Sequence, residues 1–124
     1  LWSRGLGDVY KRQTKYGMSM LTIGMNQEFA NYGISVNSLW PRTIIATAAI
    51  EFSLGGKQLF SRARKPNIMA DAAYQILISQ KRSITGRLII DEDILKESGV
   101  TDFSQYRYED TDDELMVDLF VNES

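Results

Sequence analysis

The 124-residue chain contains no cysteine, no histidine and only two prolines. Without cysteine there is neither a disulfide framework nor a thiolate metal site. Without histidine, every Ser–His and Cys–His mechanism is excluded, along with the commonest metal ligand. Carboxylates alone remain for Mg²⁺ or Ca²⁺. No apolar run approaches the roughly 20 residues that a membrane span requires. No basic-then-apolar signal opens the chain, and Asn122-Glu123-Ser124 matches no simple peroxisomal or ER-retention signal. The cytoplasm is therefore the default compartment. The remaining composition is 44% hydrophobic and 24% charged, with a formal net charge of −2. That fits one globular domain or part of a larger one.

The small net charge hides an asymmetry. Residues 1–90 hold 12 Lys/Arg and 4 Asp/Glu, a balance of +8, whereas residues 91–124 hold 2 and 12, a balance of −10. A basic body can serve a polyanion or a phosphorylated cofactor, and it can equally be ordinary solvated surface. The basic residues are scattered, and only Arg62, Arg64 and Lys65 cluster. No helix-turn-helix or stacking-aromatic motif surrounds them, so nucleic acid is not an expected partner.

Residues 1–13 carry separated turn signals and no apolar period. From Thr14 the pattern changes. Met18, Leu21, Met25 and Phe29 recur at three- and four-residue spacing, predicting one packed face of an amphipathic helix. Gly17 and Gly24, close to a second face, suggest close approach of another backbone or are tolerated defects in the helix. Gly33 is a left-handed helix stop. Ile34 to Trp40 reads as a strand ended by Pro41. Thr43 to Phe52 reads as a loop entering a short helix, broken at Gly55-Gly56. Ile68 to Ser79 reads as a helix with Ile68, Ala72, Ile76 and Leu77 on one side. Leu88-Ile89-Ile90 is expected to be a short strand buried on both faces. Ile94 to Ser98 adds a helical turn stopped by Gly99. The acidic remainder carries aromatics that argue against pure disorder. The order helix–strand–helix–strand predicts an α/β fold with a parallel pair. Two strands do not complete a doubly wound sheet, so the chain reads as part of something larger.

Thr14 to Ala49 (TKYGMSMLTIGMNQEFANYGISVNSLWPRTIIATAA) resembles the short-chain dehydrogenase/reductase superfamily. In that family a Tyr-x-x-x-Lys motif opens a long helix. A strand of the type Asn-x-hydrophobic-x-Pro-Gly follows, then a loop of the type Ile-x-Thr. Lys15 matches the helix opening, Asn37 and Pro41 the strand, and Ile45 and Thr47 the loop. Ile84-Thr85-Gly86-Arg87 through Asp91 is similar to the family's Thr-Gly turn and last strand. The combination Lys-Tyr-Gly-Met-Ser-Met, Leu-Trp-Pro-Arg-Thr and Ile-Asp-Glu-Asp resembles a hydroxysteroid dehydrogenase-like subgroup, and the similarity runs over about residues 14–124.

The resemblance implies the C-terminal half of a Rossmann-type doubly wound parallel sheet, truncated, at residues 14–98. An acidic extension then occupies residues 99–124. It also implies an oxidoreductase using NAD or NADP on a small carbonyl or alcohol substrate, lipid-like by subgroup, in a homo-oligomer. Peroxisome or mitochondrion then stand open as compartments of the parent. Lys15 matches the catalytic lysine, which holds the nicotinamide ribose hydroxyls and lowers the pKa of the catalytic Tyr. Taken alone, Lys15 reads as a solvated lysine at a helix start. Pro41 matches the turn facing the nicotinamide. Ile45 would offer backbone groups to the carboxamide, and Thr47 a hydroxyl. Taken alone, Ile45 reads as a packed apolar residue, and Thr47 reads equally as a helix N-cap. Arg42 and Thr43 stand where many members have a single Gly, so the path is one residue longer.

The family Tyr would stand at position 11, which is Lys11; Tyr10 is one residue too early, a rotation of about 100° on a helix. The glycine-rich phosphate turn is absent, and Gly5-x-Gly7 does not replace it. Arg4 to Gln13 (RGLGDVYKRQ) resembles translated library-adapter sequence, so residues 1–13 are expected to be non-native. On that reading the chain alone is an inactive part of a reductase. The competing reading is a non-enzymatic module that pairs with an intact reductase.

Overall fold

The periodic segment after Thr14 is helical over residues 17–29 (α1) in the computed structural model, which describes residues 17–53, 56–79 and 84–118. A 3₁₀ turn, Ala30–Tyr32, follows, and Gly33 ends it in the left-handed region at φ 74°. The remaining elements are β1 (Ser38–Trp40), α2 (Ala48–Ser53), a 3₁₀ turn (Lys57–Arg62), α3 (Asn67–Leu77), β2 (Leu88–Ile90), α4 (Asp91–Glu97) and a 3₁₀ turn (Ser104–Tyr106). β1 and β2 form a two-stranded parallel sheet joined through α2 and α3. A helical crossover is what parallel pairing requires. The expected α/β class and the helix–strand–helix–strand order are present. Contacts divide the chain into two units, residues 1–38, 79–89 and 119–124, and residues 39–78 and 90–118.

In the first unit, α1 reverses the expected packing. Its inward side chains are Ser19 and Thr22, while Met20 is 74% exposed, Leu21 61%, and Met18 and Met25 also lie open. The Thr22 hydroxyl donates to the Met18 carbonyl at 2.9 Å and pairs with the Ser38 hydroxyl at 2.6 Å. This satisfies polar groups that burial would otherwise penalise. Of the apolar face expected at Met18, Leu21, Met25 and Phe29, the first three are therefore exposed and Phe29 is half-buried. Among the described residues nothing lies within 4 Å of a Cβ built at Gly17 or Gly24.

The strand expected from Ile34 contracts to Ser38–Trp40 because Val36 and Asn37 are bonded otherwise. The Val36 N–H donates to the Thr85 hydroxyl at 3.2 Å, and its carbonyl accepts from the Gly86 N–H at 2.7 Å. The Asn37 amide donates to the Ile84 carbonyl and accepts from the Arg87 N–H, both at 3.1 Å. Thr85 in turn donates to Asn26 Oδ1 at 2.5 Å. Gly86 adopts φ 69°, and a Cβ there would lie 2.5 Å from Asn26 Nδ2, so the turn needs glycine twice over.

The second unit has a conventional core. Ile44, Ala46, Phe60 and Ala63 cluster, with Ile50, Leu59 and Met116 packed against them. α3 packs on α4, and Ile68, Ala72, Ile94 and Leu95 are buried. Leu77, expected on the buried side of α3, is 82% exposed. In β2, Ile89 is buried but Leu88 is half exposed, so burial on both faces does not hold for the whole strand. α4 starts three residues earlier than the apolar pattern indicates. Asp91, Glu92 and Asp93 occupy its first turn, where the helix dipole favours negative charge.

Candidate cofactor-binding loop

Residues 41–47 leave the C-terminal end of β1 and enter α2, the kind of position where open α/β sheets bind ligands. Ile44 is buried in the core cluster and fixes the loop from below. The Arg64 N–H donates to the Ile44 carbonyl at 3.0 Å, and the Ala46 N–H donates to the Arg64 carbonyl at 2.9 Å. These two bonds make Ile45 the bridging partner of Arg64 in a parallel pair. A residue at that position keeps its own N–H and C=O out of the ladder. Neither group of Ile45 has a hydrogen-bond partner among the described residues.

Thr47 is exposed, and its carbonyl accepts the Glu51 N–H at 3.1 Å, the first bond of α2. Pro41 is half-buried at the loop's start. The structure thus brings Pro41, Ile45 and Thr47 together on one loop. Lys15, Tyr10 and Lys11 lie outside the described residues.

The loop's anchors pair residues that the sequence pattern named separately and did not bring together. The Arg42 N–H donates to Asp91 Oδ1 at 2.9 Å, and Arg42 Nη2 lies 2.7 Å from Asp93 Oδ1. Asp91 is fully buried, and Oδ1 also accepts the Glu92 N–H at 2.6 Å. Burial pushes the Asp91 carboxyl above the usual carboxylate range, against the two N–H donors and the charge of Arg64. Glu92 behaves oppositely. Burial disfavours its charge, but hydrogen bonds from Lys96 and Arg64, with their charges, outweigh that and hold it below the usual range. Arg64 itself is almost fully buried, 2.7 Å from Glu92 Oε2 and 5.3 Å from the centroid of the Phe103 ring. The available signal was three acids directly after an apolar strand. Their partners Arg42 and Arg64 lie 27 to 51 residues away in sequence, beyond any local pattern.

Among the described residues no group of three or more acidic side chains could hold a metal ion, and no helix is long and apolar enough to cross a membrane.

No protein-family profile matches the chain. It is 53% identical over 95 residues to hydroxysteroid dehydrogenase-like protein 2 of Danio rerio, covering 77% of this chain and 22% of that protein. The Xenopus laevis protein of the same name is 46% identical over 110 residues, covering 89% and 25%. A crystal structure of a short-chain dehydrogenase from Mycobacterium thermoresistibile superposes with a TM-score of 0.75 at 47% identity, covering 87% of this chain and 38% of that one. The chain therefore spans about a quarter of the length of these curated relatives. These dehydrogenase relatives favour the oxidoreductase reading over the interaction module. By sequence identity and backbone superposition, the chain belongs to the short-chain dehydrogenase/reductase superfamily, as a C-terminal part of its Rossmann-type domain.

Proposed function

We propose that the chain supplies the nicotinamide-facing loop and, in Lys15, the cofactor-holding lysine of an oxidoreductase that uses NAD or NADP on a carbonyl or alcohol substrate. The observation that carries this reading is Ile45, whose N–H and C=O stay outside the Arg64 ladder on a hydrogen-bonded loop at the end of β1. A carboxamide needs one donor and one acceptor side by side, which one residue's backbone provides. Thr47, two residues on and exposed, adds a hydroxyl. These groups fit a nicotinamide. Bound there, it would supply the hydride donor or acceptor.

The chain's own residues then have separate tasks. The Ile45 N–H would donate to a carboxamide oxygen and its C=O would accept from a carboxamide nitrogen. The Thr47 hydroxyl would serve the carboxamide or the phosphate side, and Pro41 would shape the turn facing the nicotinamide. The Lys15 ammonium would hold the ribose hydroxyls and, by its charge, lower the pKa of a tyrosine proton donor. Position 11 is lysine rather than that tyrosine, so the 124-residue chain by itself is expected to show no turnover. Residues 1–13 stand apart from the reductase portion, residues 14–98, and residues 99–124 extend it. The exposed apolar side chains of α1 support burial against further protein, including a second copy in a homo-oligomer. The subgroup's character favours a lipid-like carbonyl.

A chimera tests this. Residues 14–118 replace the matched stretch of the Mycobacterium thermoresistibile dehydrogenase, and NAD(H) and NADP(H) are titrated by fluorescence. Binding of one cofactor pair, weakened about tenfold by Thr47→Val, is expected. A folded chimera that binds neither contradicts the reading.

A further inference from the structure

The acidic C-terminal segment is bonded to the candidate loop itself. Five backbone bonds hold Arg42 to Ala46. One comes from Asp91 and two from Arg64. The other two come from the tail: the Ile44 N–H donates to the Met116 carbonyl at 3.0 Å, and the Asp118 N–H donates to the Arg42 carbonyl at 2.9 Å. Thr43, buried, bridges Val117 in antiparallel sense between them. The tail thus takes the loop's polar groups on one side while the Ile45 amide groups stay outside both sets of bonds.

The tail is in turn fastened to the strand-like segment behind the loop. The Lys65 N–H donates to the Tyr106 carbonyl at 2.6 Å, the Tyr108 N–H to the Ala63 carbonyl at 3.1 Å, and the Met116 N–H to the Arg62 carbonyl at 2.9 Å. The buried Tyr106 hydroxyl donates to Asp71 Oδ2 on α3 at 2.7 Å. Arg62 Nε donates to the Glu114 carbonyl at 2.8 Å. Between these fastenings Glu109, Asp110, Asp112, Asp113 and Glu114 are exposed. So charged a stretch cannot bury enough apolar surface to order itself. Its order depends on the fastenings, and so does part of the loop's.

We infer that residues 104–118 are a strap that positions the Arg42–Ala46 loop, latched to α3 by Tyr106. Its meaning for cofactor binding rests on the proposed function, but the strap itself does not. Undocking it leaves the Arg42 carbonyl and the Ile44 N–H without partners and uncovers Thr43. The Arg64 ladder next to them then loses its support. Docking makes the loop rigid before any ligand arrives, the arrangement that favours binding.

Amide exchange of the full chain, read by mass spectrometry without cofactor, tests this. Two variants are compared with the parent, one ending at Asp110 and one carrying Tyr106→Phe. Peptides over residues 42–46 and 62–65 report the loop, and a peptide over residues 67–77 is the internal standard. The truncation is expected to raise exchange about tenfold at both loop peptides, with α3 unchanged. Tyr106→Phe is expected to raise it about threefold at the same places. Unchanged loop exchange in the truncated chain overturns the inference. If truncation exposes all three peptides, the full-length Tyr106→Phe chain decides. A rise confined to the loop supports the strap, and no rise overturns it. Because no cofactor is present, a failure here is separate from a failure of the cofactor reading.

Discussion

The two units treat similar side chains in opposite ways. In the first, α1 buries Ser19 and Thr22 and opens Met20 and Leu21 to solvent. In the second, Ile44, Ile68 and Leu95 are buried, and even the ionic groups Arg64 and Asp91 are enclosed. An amphipathic pattern says that a face seeks burial, and only the packing partner decides whether it is buried. α3 and α4 supply that partner to each other. α1 presents an apolar face that is left open.

The comparison can be broken most severely at Arg64. Arg64→Met leaves Glu92 partly buried with Lys96 as its remaining partner. A loss of about 3–5 kcal/mol in urea unfolding is expected, and adding Glu92→Gln should return part of it. Next, Leu95→Ala should cost about 2–5 kcal/mol, whereas Leu21→Ala should stay within about 0.5 kcal/mol. Equal losses at the two leucines would show that α1 is covered after all. Within the first unit, Gly86→Ala should cost about 1–2 kcal/mol, because it combines a left-handed backbone with a contact on Asn26.

The smallest effect is in pH. Burial, with the hydrogen bond to Asp71 and its charge, pushes Tyr106 up to about 12 from an ordinary value near 10. The folded chain therefore keeps that proton where the unfolded chain loses it. The associated stability is complete below pH 10 and lost as pH rises through about 12. Melting measured across that range should lose its slope in Tyr106→Phe.

Local chemistry made some of this fold legible. Gly33 stops its helix in the left-handed region as its place after Tyr32 suggests, and Leu88–Ile90 is a strand at the expected residues. The second half of the Ile34–Trp40 strand was readable. Its first half was not, because the Thr85 and Ile84 groups that capture Val36 and Asn37 lie almost 50 residues away. The tail's aromatics signalled order, and Tyr106 and Tyr108 do pack, the latter edge-on to Phe60 at 4.9 Å. Their partners could not be read, since the bonds between Met116–Asp118 and Arg42–Ile44 span more than 70 residues. For the loop, Ile45 and Thr47 emerged from a motif. The clamp of Asp91 and Asp93 on Arg42 emerged only from the fold.

The central claim is that the loop offers the Ile45 backbone to a nicotinamide. The most direct measurement is amide exchange at single residues in the chimera, with and without saturating cofactor. Exchange at Ile45 is predicted to slow on binding, while Ile44 and Ala46, whose N–H groups are already bonded within the protein, stay unchanged. Cofactor bound with Ile45 exchange unaltered would contradict the account.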